Sequence, residues 1–274
     1  PYSNQAADVL ALLEHHLAQH HVQLRTGCTV RTLSQSRGGY AVQFETAEGS
    51  TETLRADAVI CAMGGAAGPQ FGTDGFGTRF AAQCGGRTEP LYPCLTALQC
   101  AKPNKTLAGI RAKAAASLLD GSRVLAAETG EVQFTEYGLS GIPFFQLSLS
   151  YGMLPPARRQ GLSARVDLFP ARSAESLAAW LARQGSRGCS AGEALEGMLH
   201  WKLARAVRKA AGMSEKTPLD EAAARRLAAA LKGLEFPISG TLGWEQCQVT
   251  GGGISLEEVD PVTMESRLCP GLYL

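Results

Sequence analysis

Residues 57–65 read Asp-Ala-Val-Ile-Cys-Ala-Met-Gly-Gly, and no other stretch narrows the possible folds as far. Ala58 to Ala62 is an unbroken apolar run of strand length, without the alternation of a strand that has one face in water. That pattern suits a strand buried on both faces of an α/β sheet. The run stops at Gly64-Gly65, where the absence of side chains lets backbone N–H groups come close to a bound nucleotide. A strand ending in an ordinary tight turn is the plainer alternative.

The flanks point the same way. Ala6, Val9, Leu10, Leu13 and Leu17 repeat at helical spacing, so Ser3 to His20 predicts a helix with Ser3 as N-cap. Val22–Leu24 and Thr29–Leu33 read as short strands. Tyr40, Val42 and Phe44 alternate as in a half-buried strand, and Thr51–Leu54 returns after the Glu48-Gly49 turn. Asp74 to Cys84 reads as a helix behind the glycine loop. From Pro90 to about Pro170 short strand-like pieces predict a β-rich, barrel-like insert: Leu91–Leu98, Val124–Ala127, Gly130–Thr135 and Ala164–Leu168. Alanine- and leucine-rich segments near 174–184, 191–210 and 218–232 predict three helices, and strand character resumes at Phe236 and ends in a Gly251-Gly252-Gly253 turn. The expected class is therefore α/β, with a partial Rossmann-like layer over 1–88 and 249–274. The insert spans 89–248, β-rich over 89–172 and 234–248, with a helical subdomain over 173–233.

Composition removes several alternatives. With 26 Lys and Arg against 25 Asp and Glu, the chain of 274 residues has no field to gather nucleic acid or an anionic membrane. The 8 cysteines show no C-x-x-C and no regular spacing, which favours free thiols in a reducing cytoplasm over a zinc or disulfide framework. His16 and His20 sit one turn apart without an acidic or cysteine partner in view, so no metal site is expected. Cys94 and Cys100 are spaced unlike a redox pair. Lys202, Arg205, Arg208 and Lys209 form a basic stripe whose simplest reading is a solvated face.

Motifs along the whole chain carry a more specific likeness. They are Pro1-Tyr2-Ser3-Asn4-Gln5-Ala6, Gly27-Cys28-Thr29-Val30-Arg31-Thr32-Leu33, the 57–65 run, Gly72-Thr73-Asp74-Gly75-Phe76-Gly77, Pro93-Cys94-Leu95 and Leu107-Ala108-Gly109. Gly130–Thr135, Tyr137–Gly141, Val249–Ile254, Thr263–Ser266 and Gly271–Tyr273 follow in order. In this order the chain resembles the BaiN/RdsA-type NAD(P)/FAD-dependent oxidoreductases, the aminoacetone oxidase-like group. The resemblance implies an FAD-dependent enzyme passing hydride or electrons to a small molecule, with NAD(P)H a candidate donor, no nucleic-acid or membrane partner and a cytoplasmic setting. It implies that Val30 meets the adenine, that Ala62, Met63, Gly64 and Gly65 lie beside the phosphates and ribose, and that Thr250, Gly251 and Gly252 lie near the isoalloxazine. Tyr137 and Ser140 are candidates to face a substrate, and no catalytic side chain is assigned. The family's opening G-x-G-x-x-G fingerprint and its flavin-closing final segment do not occur in this sequence, so the expectation is an internal fragment that does not retain FAD and is inactive by itself. A non-catalytic module docking a protein or RNA through the helical insert is the competing reading.

Overall fold

The alternation of Tyr40, Val42 and Phe44 becomes the middle strand of an antiparallel sheet, with Tyr40 and Phe44 buried. The computed structural model describes residues 2–36 and 38–274; Pro1, which opens the first motif, lies outside the described residues. The chain begins with α1 (Ala6–Gln19), β1 (Thr29–Ser36), β2 (Gly39–Glu45), β3 (Thr51–Ala56), β4 (Val59–Ile60), α2 (Phe76–Gln83), β5 (Thr88–Cys94) and β6 (Leu98–Cys100). It continues with β7 (Arg111–Asp120), β8 (Arg123–Phe134), β9 (Gly138–Ser140), α3 (Ile142–Met153), β10 (Leu162–Asp167), α4 (Ala174–Gly185) and α5 (Trp201–Ala210). The last elements are α6 (Glu221–Lys232), β11 (Leu234–Thr241), β12 (Val249–Ile254) and β13 (Leu272–Tyr273). Two compact units result, 1–62 with 256–274, and 63–255. The expected boundaries at 88/89 and 248/249 follow composition, whereas these units follow packing.

In the first unit β1, β2 and β3 pair in sequence order, and β4 pairs in parallel with β13 through Val59↔Leu272 and Ile60↔Tyr273. The Tyr40 hydroxyl donates to the Pro270 carbonyl (2.8 Å), fastening the sheet to the chain just before β13. Three expectations are corrected here. Only Val59 and Ile60 of the apolar run are in a strand, and Ile60 is 76% exposed, because β13 is the run's one neighbour among the described residues and no layer covers it. Val22–Leu24 has no strand partner and stays irregular. Helix α1 starts at Ala6 with Gln5 as an N-cap that makes no side-chain bond, while the Ser3 hydroxyl accepts from the Gln5 N–H in the preceding turn (3.4 Å).

In the second unit six strands close into a barrel in the order β10-β11-β6-β9-β8-β7. Period-two burial fills it: Ala114, Ala116 and Leu118 from β7 and Leu162, Ala164 and Val166 from β10 point inward. Val124–Ala127 and Gly130–Thr135, read as two pieces, are one long strand, β8. Ser173 caps α4, its Oγ accepting from the Ser176 N–H, and Asp220 caps α6, accepting from the Ala223 N–H at 2.7 Å. Helix α5 is shorter than expected because Gly192 to Leu199 forms a loop with one 3₁₀ turn. The buried side chains of barrel and helices form one continuous cluster. Lys232 ties them further, with its ammonium 2.6 Å from Asp167 and donating to the Phe169 and Arg172 carbonyls.

Candidate functional site

The second unit opens with the glycine loop, and a distant hydroxyl holds that loop in shape. Thr250 Oγ1 on β12 accepts from the N–H groups of Ala66 (2.8 Å) and Ala67 (3.0 Å). This closeness requires glycine at 65, since a Cβ there would overlap the Thr250 side chain. Further bonds close the loop: Thr73 Oγ1 to the Ala67 carbonyl (2.7 Å), the Gly75 N–H to the Gly65 carbonyl (3.0 Å) and the Gly68 N–H to the Trp244 carbonyl (3.0 Å). Gly65 and Thr250, far apart in sequence, therefore form one local structure.

The three glycines of β12 are not the turn expected from sequence. They lie inside a strand, where β12 runs against β5 with Thr250 opposite Pro93 and Gly251 opposite Tyr92, and the register shifts between Gly251 and Gly253. The shift is a β-bulge, which bends the strand locally. Gly251 lies against the Tyr92 ring, and Gly152 of α3 presses on the same ring; a Cβ at either position would collide with it. Tyr92 thus joins α3, β5 and β12. Burial raises its phenol above the ordinary value; Cys94 adds to the rise and Arg159 opposes it. Cys94 and Cys247 are both buried, and burial also raises both thiols, so neither is primed as a nucleophile.

The loop has a specific chemical capacity. Its Ala66 and Ala67 N–H groups are spent on Thr250, but the N–H groups of Met63, Gly64 and Gly65 have no acceptor among the described residues. Met63 and Gly64 are exposed, and Gly64 has φ +71°, a left-handed conformation that suits glycine. Three unspent donors on an exposed, braced loop fit an anionic group such as a phosphate. At the start of α2 the Phe76 N–H is spent locally. There the Asp74 carboxylate accepts from the Phe76 N–H (2.9 Å), and the Arg79 side chain, hydrogen-bonded to it, holds that carboxyl below its usual range.

The remaining predicted residues fall in both units. Val30 and Ala62 belong to the first unit. Val30 is 38% exposed, beside a bulge between Val30 and Thr32 on edge strand β1, so it is not a core residue. Ser140 is buried at the end of β9, and Tyr137 is partly exposed in the turn before it. Among the described residues no group of three His, Cys, Asp or Glu could hold a metal ion, and no helix is long and apolar enough to cross a membrane. Sequence reasoning missed Tyr92 and Thr73, whose roles depend on contacts made only after folding. The Thr-Gly pair at 250–251 was the available signal for the bracing hydroxyl.

Two comparisons with known proteins bear on this geometry. The profile described as the HI0933-like protein Rossmann domain matches residues 1–274. The 3-dehydro-bile acid delta(4,6)-reductase of Clostridium scindens is 35% identical over 284 aligned residues, which take in 100% of this chain and 67% of that protein.

Proposed function

The chain belongs to the HI0933-like Rossmann-domain family of BaiN/RdsA-type flavoproteins, a flavin-dependent oxidoreductase family, and from that membership we propose that it helps to hold FAD over a reducible small molecule. The observation that carries the proposal is the Thr250-braced loop with the unspent N–H groups of Met63, Gly64 and Gly65. In this reading those groups meet the FAD phosphates. Thr250, Gly251 and Gly252 offer a glycine-lined edge for the flavin ring, with Tyr92 as a rigid support behind it. The adenine and ribose roles of Val30 and Ala62 rest on the resemblance alone. When bound, the cofactor supplies the hydride chemistry, and the protein supplies position and exclusion of water.

NAD(P)H is the proposed donor. The proposed acceptor is an apolar molecule with an activated double bond. Two observations support that class: the reductase name of the relative from Clostridium scindens, and Ile142, Leu149 and Met153, which α3 leaves exposed. Titration of the purified chain with FAD decides between this reading and the expectation from sequence that the chain does not retain the cofactor: quenched flavin fluorescence and a visible flavin spectrum kept through gel filtration support this reading. Thr250→Val should weaken that uptake, and a chain that takes up no FAD at any ratio rejects the reading.

A further inference from the structure

The helical subdomain contains a cleft of about 990 Å³ that the flavin reading leaves without a role. Its floor is apolar, made by the buried Leu195, Ala204 and Met213. Above the floor α5 presents Trp201, Arg205 and Arg208, spaced i, i+4 and i+7, while Leu203 and Val207 face the core. The opposite wall is fixed by backbone: the Gly192 N–H donates to the Glu215 carbonyl (2.8 Å), and a Cβ at Gly192 would overlap Glu215.

Two features set this cleft apart from a solvated surface. Trp201 lines it and is 64% exposed; His200 stacks on part of the indole (ring centroids 5.8 Å apart) and the Lys202 ammonium lies 5.7 Å from its centroid, and the rest of the ring is open to a second flat ring. The Arg208 side chain is only 12% exposed, but its one ion pair is a 3.6 Å contact with Glu215, which is itself 75% exposed. A guanidinium this deep ordinarily makes short, paired bonds to an anion; here it makes no hydrogen bond among the described residues. Arg208 and Lys209 also offset the negative end of α5, being in its last turn. Arg205 lies outside that turn and has no ion pair or side-chain hydrogen bond among the described residues, so capping does not account for it.

We infer that this cleft binds a small planar anion of the nucleoside monophosphate class, its ring on Trp201 and its phosphate between Arg205 and Arg208. The volume falls within the range of about 300–1,000 Å³ usual for small-ligand sites. Glu196 and Glu215 on the lining, with the chain's formal net charge of +1, oppose a polyanion such as RNA.

The test is calorimetric titration with AMP of the full chain and, in parallel, of its Thr250→Val variant, so that binding at the glycine loop is told apart from binding in the cleft. Adenosine and inorganic phosphate serve as separate titrants. One AMP should bind per chain, and each half-ligand should bind at least about tenfold more weakly. Arg205→Gln should weaken AMP about tenfold, the loss of one charge-assisted hydrogen bond, and Trp201→Ala should weaken it comparably. Arg205 is exposed and makes no side-chain bond among the described residues, so its variant should keep the wild-type urea midpoint, whereas Trp201→Ala also loses contacts with His200 and Lys202. Because neither residue belongs to the glycine loop, these variants report on the cleft even in a chain that takes up no FAD. Three results overturn the inference: no saturable AMP signal, AMP affinity unchanged in both variants, or a single-stranded oligonucleotide binding with a steep salt slope while AMP does not bind.

Discussion

Replacing Thr250 by valine keeps the shape of the side chain and removes one oxygen, which leaves the Ala66 and Ala67 N–H groups without their acceptor. The two bonds are 2.8 and 3.0 Å long and partly buried. A fully buried donor left unpaired costs about 1–3 kcal/mol, and partial access of water places each of these near the low end. The summed loss is then about 2–3 kcal/mol, a drop in melting temperature of roughly 5–10 °C for a body of this size. Thr250→Ser keeps the acceptor and loses one methyl, about 0.8 kcal/mol. Urea unfolding followed by tryptophan fluorescence measures the difference, and Trp244 is well placed to report it because its carbonyl accepts from the Gly68 N–H of the same loop (3.0 Å). A valine variant that unfolds at the wild-type urea concentration, or a serine variant that falls as far as valine, refutes the bracing argument.

Other outcomes follow from the same structure. Gly251→Ala forces a Cβ into the Tyr92 ring and should cost about 1–3 kcal/mol; a Tyr92→Ala background should remove most of that cost in a double-mutant cycle, whereas simple additivity would deny the contact. Lys232→Met breaks the 2.6 Å pair with Asp167 and two bonds to carbonyls, for a loss of about 2–4 kcal/mol by chemical denaturation; a change under about half a kcal/mol would contradict this. Burial pushes the Cys100 thiol up to about 11 from 9.0. Its neutral form therefore contributes stability that is fully present below pH 9.0 and is lost as the pH rises toward about 11. Cys100→Ala should show a shallower fall in unfolding free energy across that window, and an unchanged slope counts against it. Brief alkylation of the native chain at neutral pH should modify the half-buried Cys28 and Cys189 well before the buried Cys100 and Cys269, as read by peptide mass spectrometry.

What the sequence revealed depended on whether one local period dominated. Helices α4 and α6 were legible because Leu177 and Leu181, and Leu227 and Leu231, repeat at helical spacing behind Ser173 and Asp220 caps. Helix α3 was not, because Ile142 to Met153 is apolar on nearly every side and shows no polar face to set a period. Strand β7 was hidden by its alanines, which are poor strand formers that the barrel interior accepts for their size. The 251–253 glycines pointed to special backbone but not to its form; a turn and a bulge ask for the same residues, and only pairing with β5 separates them. The glycine loop could be found from its apolar run. Its brace could not, because Thr250 reaches Ala66 and Ala67 only across the folded body.

Closure of the six-stranded barrel bears on how the chain meets its own copies. Closure removes much of the free row of N–H and C=O groups, but β8 meets β9 only at Gln133 and Phe134, so residues 123–132 have β7 on one side and no strand on the other among the described residues. Unpaired rims remain on the smaller sheets, among them β1 and β3 in the first unit. Both carry deterrents: a bulge and Arg31 on β1, and Glu52 and Arg55 on β3. Cross-chain templating under heat or crowding should accordingly begin on those short rims or on the open side of β8.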